Sequence, residues 1–169
     1  MNQRIPILYD RELRPEWIDF ALEQFVVSPD AGSHHRVLQE YLAPQINSPT
    51  SLRKTVSQLE RCVGYKAVHG RRHLESVYRA MRELAPRQRR ELRLQLLEGS
   101  NAFVADCLRA LRKLQAVSAK GVEPRILYER LIAQYGDRGT VPRRVRYVLR
   151  TLANLGVVEA NDGRWTITV

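Results

Sequence analysis

Apolar residues recur at three- and four-residue steps through most of this chain, and the step changes only near its end. The sharpest stripe is Val145, Val148, Leu149, Leu152 and Leu155, which predicts an amphipathic helix over Thr140–Leu155. On its opposite face stand Arg143, Arg146, Tyr147, Arg150 and Asn154. A preceding helix is predicted over Ile126–Tyr135. Gly136 and Gly139 punctuate the turn between the two, Thr140 is the expected N-cap, and Pro142 suits the first turn. Gly156 ends the second helix. Val157, Val158, Trp165 and Ile167 then supply strand formers around Asn161-Asp162-Gly163, a hairpin-turn signal that puts Arg164 beside the tip and turns Trp165 toward the core. Helix, turn, helix and two-stranded wing is the order of a winged helix-turn-helix.

Upstream the pattern is helical throughout, after a short extended start ending at Asp10 and Arg14. Pro15 opens a helix to Val27, with Trp17, Phe20, Ala21, Gln24 and Phe25 near one side, and Ser28, Pro29, Asp30 and Gly32 break it. A second runs from about His34 to Ala43, and Ser48-Pro49 starts a third that reaches Val63. After a loop over Gly64–His73 come Leu74–Leu84, Pro86–Leu97 and Asn101–Val117. The last has a broad apolar face of Phe103, Val104, Cys107, Leu108, Leu111 and Leu114, and is the expected central packing helix. Val117–Val122 reads as a hinge, which divides the chain into a helical body over 1–120 and a winged helix over 121–169.

The helix pair at 34–63 resembles the C-terminal pair. Arg36–Leu42 lines up with Arg125–Leu131, and Ser48–Gly64 with Thr140–Gly156. Two readings stay open: a duplication that yields a second helix-turn-helix, or two amphipathic pairs that align through periodicity alone. In the first, Leu52, Val56, Leu59 and Val63 face inward, and Thr50, Lys54, Ser57 and Arg61 face outward with Arg53 at their flank.

Composition and charge turn this fold toward a partner. At 169 residues and 44% hydrophobic content the chain can bury a core. No apolar run is long enough to span a membrane, and Ile5–Leu8 is too short for a signal peptide. Cys62 and Cys107 lack paired spacing and read as core thiols in a reducing cytoplasm. The net charge of +10 is carried by 24 arginines and only four lysines against 18 acids. Its distribution is −3 over 1–33, +10 over 34–120 and +3 over 121–169. Arginine suits bidentate phosphate and base contacts, although a GC-rich genome also favours it. Arginines 143, 144, 146 and 150 crowd one segment without an acid among them, whereas an ordinary solvated face mixes signs. Guanidinium and amide groups on one helix face can reach phosphates and read guanine or adenine edges, and a tyrosine can touch sugar or phosphate. The expected DNA contacts are therefore Thr140, Arg143, Arg146, Tyr147, Arg150, Asn154 and Arg164, with Thr50, Arg53, Lys54, Ser57 and Arg61 on the first pair. Arg87, Arg89, Arg90 and Arg93 form either a solvated face or an extension of the phosphate track.

Catalytic patterns are missing. The chain has no glycine-rich phosphate loop, paired-cysteine motif or nucleophile elbow. His69 and His73 have the separation of a helical metal pair, but Gly70 interrupts and no third ligand follows. Acids stand singly. The expectation is a protein that is no enzyme and needs no cofactor or metal. Its partner is double-stranded DNA and not a membrane, and aromatic residues are too few for base-stacking on RNA. A transcriptional regulator acting as a dimer, and a protein-interaction subunit using the winged helix as scaffold, are the alternatives. Oligomeric state is not legible.

Leu42–Cys62, with its Ser48-Pro49-Thr50-Ser51 start and Arg53-Lys54 pair, resembles the matching helix of the BrxA family, small proteins of bacterial BREX phage-defence systems. Glu83-Leu84-Ala85 leading to Gln95-Leu96-Leu97, then Phe103-Val104-Ala105-Asp106, is similar to that family's middle segment, and Val145–Val158 to its closing helix with a Leu-x-x-Leu-Gly ending. The resemblance implies an all-helical, basic, DNA-binding accessory protein without enzymatic activity, encoded with a defence methyltransferase and ATPases.

Overall fold

A computed structural model describes residues 5–168. Among them lie eight helices, α1 (Pro15–Val27), α2 (Ala31–Leu42), α3 (Pro49–Val63), α4 (Arg71–Glu83), α5 (Pro86–Ser100), α6 (Ala102–Ala116), α7 (Pro124–Tyr135) and α8 (Thr140–Asn154), followed by strands β1 (Val158–Asn161) and β2 (Arg164–Ile167). The protein is mainly helical and closes on an antiparallel two-stranded wing. Proline opens α1, α3, α5 and α7, where its fixed φ costs nothing and its missing N–H would be unpaired in any case. The Ser48 side chain caps α3 at Ser51 N (3.3 Å), and Asn101 caps α6 at Phe103 N and Val104 N. The helix α2 starts three residues earlier than its periodicity suggests, because the Asp30 carboxylate accepts from Ser33 N at 2.7 Å and carries the helix through Gly32. Thr140 is not the cap of α8: Gly139 occupies that position, and Thr140 is the first helical residue.

The chain folds as two compact units, one over Leu13–Ser100 and the other combining the residues up to Glu12 with those from Asn101 onward. This displaces the boundary expected at residue 120. The apolar face of α6 needs a partner, and α6 finds it in α7, α8 and β2. The segment read as a hinge is also structured into the same unit. Gly121 takes a left-handed φ of 83°, and Val122 bridges Trp165 through backbone hydrogen bonds of 2.9 and 2.8 Å, adding a minimal third strand to the wing.

In the Leu13–Ser100 unit α3, not α6, is the central helix, packed on α1, α2 and α5. Val56, Leu59 and Val63 are fully buried there, and Leu22, Leu38, Leu74, Leu96 and Leu97 are buried in the same unit. Five polar residues are buried in this unit, Ser28, His34, Thr55, Gln58 and Glu60, and two of them, Glu60 and His34, are titratable. The Glu60 carboxylate, 3% exposed, accepts from Lys66 Nζ at 2.7 Å and meets His35 Nδ1 at 2.9 Å. His34 has no exposed surface, and its Nε2 lies 2.9 Å from the Ala21 carbonyl oxygen. A carbonyl can only accept, so Nε2 carries the proton, and Nδ1 is left buried without a partner. The rings of Phe25 and Tyr65 flank it.

Burial holds the His34 imidazole below its ordinary pKa of 6.5. The unfolded chain therefore binds a proton at His34 before the folded chain does, so stability is complete above about pH 6.5 and declines as pH falls beneath it. Thermal unfolding followed from pH 7.5 to 5.5 should show a falling Tm, and His34→Gln, which keeps a donor toward Ala21, should flatten that fall. A wild-type Tm that is level across the range would mean that the imidazole is free to protonate in the folded state.

Candidate nucleic-acid interface

The second unit builds its surface from α8 outward. Val141, Val145, Val148, Leu149 and Leu152 are each no more than 1% exposed, and this stripe fixes the rotation of the helix. At a period of 3.6 residues the same rotation turns Arg143, Arg146, Arg150 and Asn154 to solvent and leaves Thr140 and Tyr147 half-buried. Arg143, Arg146 and Arg150 form no ion pair among the described residues. Arg144 departs from this group. Its guanidinium is half-buried and donates to the Ile7 carbonyl, and burial lowers its pKa.

Ile7 belongs to an N-terminal arm that the sequence reading leaves as a bare extended start. Arg138 Nη2 donates to the Ile5 carbonyl at 2.8 Å. The Tyr9 hydroxyl, buried, donates to Thr151 Oγ1 at 2.7 Å, and Thr151 Oγ1 in turn donates to the Tyr147 carbonyl at 3.0 Å. The Arg11 guanidinium lies 5.7 Å from the centroid of the Tyr147 ring. The sequence signal for this arm is alternation, with Ile7 and Tyr9 buried and Pro6 and Leu8 exposed. Four residues are too few to reveal which element such a strand joins.

Tyr128 on α7 is a second residue that sequence reasoning misses. Half-burial raises the pKa of its phenol, and the charges of Arg146 and Arg150 pull the other way, so the hydroxyl stands in the field of both guanidiniums.

The wing corrects one expectation. Asn161 pairs with Arg164 across a turn in which Asp162 (φ 48°) and Gly163 (φ 72°) are both left-handed, the geometry that suits a two-residue hairpin. Arg164, however, does not extend from the tip: its guanidinium pairs with Glu123 at the start of α7 and approaches the Gly121 carbonyl at 3.5 Å. Glu123 lies 41 residues away in sequence, too far for local patterning to reveal. Trp165 is half-buried, and it is anchored chiefly through its backbone pairing with Val122.

In the other unit, Thr50, Arg53 and Arg61 are exposed on α3, while Lys54 and Ser57 are half-buried. The α5 arginines do not form an open row. Arg93 is committed to a bidentate pair with Asp19 (2.7 and 2.6 Å), Arg89 and Arg90 are half-buried, and Arg87 lies 3.7 Å from Glu91. His69 and His73 bring their rings within 5.0 Å, but His69 Nε2 is directed at the Leu96 carbonyl, and no cluster of three metal-binding side chains occurs among the described residues. Cys62 and Cys107 are buried, which pushes the Cys62 thiol up to about 12 and the Cys107 thiol higher still; both are protonated and unreactive at neutral pH.

Counted by unit, the one containing α8 holds fourteen basic and eight acidic residues, and so carries six of the ten surplus charges. No family model, curated protein or solved structure matches the chain. No helix among the described residues is long and apolar enough to cross a membrane.

The arm should behave as part of the core. Removing the Tyr9 hydroxyl (Tyr9→Phe) should cost about 1 kcal/mol, the net worth of one buried hydrogen bond, and Tyr9→Ala roughly 3–5 kcal/mol through the cavity that it leaves. Urea unfolding of both variants measures this. A Tyr9→Ala variant within about 1 kcal/mol of wild type would detach the arm from α8.

Proposed function

We propose that this chain is a non-catalytic protein that binds double-stranded DNA, acting in the bacterial cytoplasm as an accessory component of a BREX-like phage-defence system alongside its methyltransferase and ATPase proteins. The observation that carries the DNA-binding reading is the outer face of α8, where three exposed arginines outside any ion pair occupy the second helix of a helix-turn-helix. An arginine that is not neutralised by a neighbour is free to exchange water for phosphate oxygens, and its planar fork matches the O6 and N7 acceptors of guanine. The surplus of basic residues in the same unit supplies the attraction that concentrates a polyanion at this face. The α3 stripe offers phosphate contacts of the same kind through Arg53 and Arg61, while base reading rests on α8. The resemblance of the α3, α5–α6 and α8 segments to the BrxA family supports the accessory role.

Arg146→Ala combined with Arg150→Ala should weaken duplex binding by roughly 1–3 kcal/mol for each guanidinium that no longer reaches a base. The Tm should hardly move, because exposed arginines contribute little to folding. A gel-shift titration across a salt series, with specific and scrambled duplexes, reads affinity and sequence preference together. If the double variant binds as the wild type does, α8 is not the reading helix; if the wild type fails to bind duplex at moderate salt, the DNA-binding reading is wrong.

A further inference from the structure

In the Leu13–Ser100 unit α4 packs against both α1 and α5, and a cleft of about 230 Å³ lies between the three helices. Leu22 and Met81, 1% and 7% exposed, are its apolar lining. Tyr78 and Arg82 line it from α4, four residues apart and so on one face of the helix, and Arg89 lines it from α5. The carboxylates in the lining, Asp19 and Glu23 of α1, do not satisfy these arginines. Both oxygens of Asp19 are taken by the fork of Arg93, at 2.7 and 2.6 Å, and Glu23 is exposed and forms no ion pair among the described residues. Arg89 is left with an unmet need. Its Nε is buried without a hydrogen-bond partner, and its guanidinium forms no hydrogen bond or ion pair among the described residues. Arg11 and Arg144 also bury an unmet Nε, but each donates through a terminal nitrogen. A buried donor without an acceptor destabilises the fold, more so when it is charged, and folds rarely retain one without a use for it. The Arg82 guanidinium and the Tyr78 hydroxyl are likewise outside any hydrogen bond among the described residues.

We propose that this cleft binds a small monocarboxylate, whose oxygens accept from Arg89 and Arg82 and whose apolar part lies against Leu22 and Met81. A guanidinium matches a carboxylate through two parallel N–H groups, and the unmet Nε of Arg89 is one such donor. Charge selects among anions. With Arg93 counted, three guanidiniums meet two carboxylates at the cleft, a surplus of one that suits a monoanion better than a dianion such as phosphate. Size sets a further limit, because drug-sized ligands occupy clefts of roughly 300–1,000 Å³ and this one is smaller. The carboxylate belongs either to a free organic acid or to the end of a peptide chain. The cleft is built from α1, α4 and α5 alone and does not depend on the DNA-binding reading of α8.

Amide NMR spectra of the full chain, titrated with sodium hexanoate, its neutral counterpart hexanamide, N-acetyl-leucine as a stand-in for a chain end, and inorganic phosphate, test the proposal. Hexanoate or N-acetyl-leucine should give saturable shifts at residues 19–23, 78–82 and 86–89, and the tighter of the two identifies the source of the carboxylate. Hexanamide should bind at least about 10-fold more weakly, because it offers no charge to the guanidiniums. Arg89→Met keeps an apolar stem and removes the donors. It should lose at least about 10-fold in affinity, while its Tm without ligand equals or exceeds that of the wild type, since an unmet buried donor is gone. Arg82→Gln should weaken binding roughly 3- to 10-fold, and Arg79→Gln, at an exposed position of α4 outside the lining, should leave it unchanged. Four results would overturn the proposal: no saturable shift with either acid up to about 10 mM; hexanamide binding as tightly as hexanoate; phosphate binding more tightly than both acids; or a marked fall in the Tm of Arg89→Met, which would show that the guanidinium is satisfied within the fold.

Discussion

Five side chains of α8 have to leave water together, and the C-terminal unit is arranged around that requirement. Val141, Val145, Val148, Leu149 and Leu152 lie on one stripe and are almost wholly buried. At about 2 kcal/mol for each aliphatic side chain, turning the stripe outward would cost on the order of 10 kcal/mol, before counting the desolvation of guanidiniums turned inward. Such a margin leaves one rotation of the helix. The direction of Arg143, Arg146 and Arg150 is thus a consequence of packing, with no hydrogen bond needed to aim them. The stripe packs mainly against α7, then β1 and α6, and α6 itself packs on α7 and β2, so α6 belongs with the winged helix and a boundary at residue 120 would cut that core in two.

The preponderance of arginine over lysine has two distinct structural uses. Several arginines act as braces. Arg93 forks onto Asp19, Arg138 donates to the carbonyls of both Tyr135 and Ile5, Arg144 to Ile7, and Arg164 to Glu123. Most of these bring together groups far apart in sequence, and all exploit a rigid fork that an ammonium group lacks. The arginines on the outer face of α8 are not used in this way. A count of basic residues therefore exaggerates the number of uncommitted guanidiniums, and the pairing pattern separates the braces from the arginines outside any ion pair.

The legible part of the fold follows from local rules. Helix starts at Pro15, Pro49 and Pro86, the Ser48 cap, the two-faced α8 and the hairpin turn at Asp162-Gly163 all depend on neighbours within a few residues, and the structure has each of them. The rest depends on distant partners. In the sequence Arg164 and Arg144 have the look of solvent-facing cations, and only the fold puts Glu123 and Ile7 beside them. The arm is legible as an extended segment but not as a part of α8's surroundings, because its hydrogen bond joins Tyr9 to a residue 142 positions away. Strand alternation turns Trp165 inward, a rule that holds fully only where the sheet has a covered face; on this short wing the ring is half-buried.

The apparent repeat shows why periodicity and punctuation have to be separated. Aligning Gly64 with Gly156 sets Gln58 opposite Arg150, Cys62 opposite Asn154 and Arg53 opposite Val145, and in each pair one member is buried and the other exposed. Moving the register by one residue brings Val56 against Leu149 and Leu59 against Leu152 on the inner side, and sets Arg53 against Arg146 and Arg61 against Asn154 outside. One residue is about 100° of helix rotation, so the alignment anchored on glycine equates different faces. In the register set by burial, the outward positions matching Arg143, Arg146 and Arg150 hold Thr50, Arg53 and Ser57, one guanidinium in place of three. The segment after α3 forms a turn and α4, with no hairpin. The two helix pairs thus share an amphipathic design, while the charge that would recognise a polyanion is concentrated on α8.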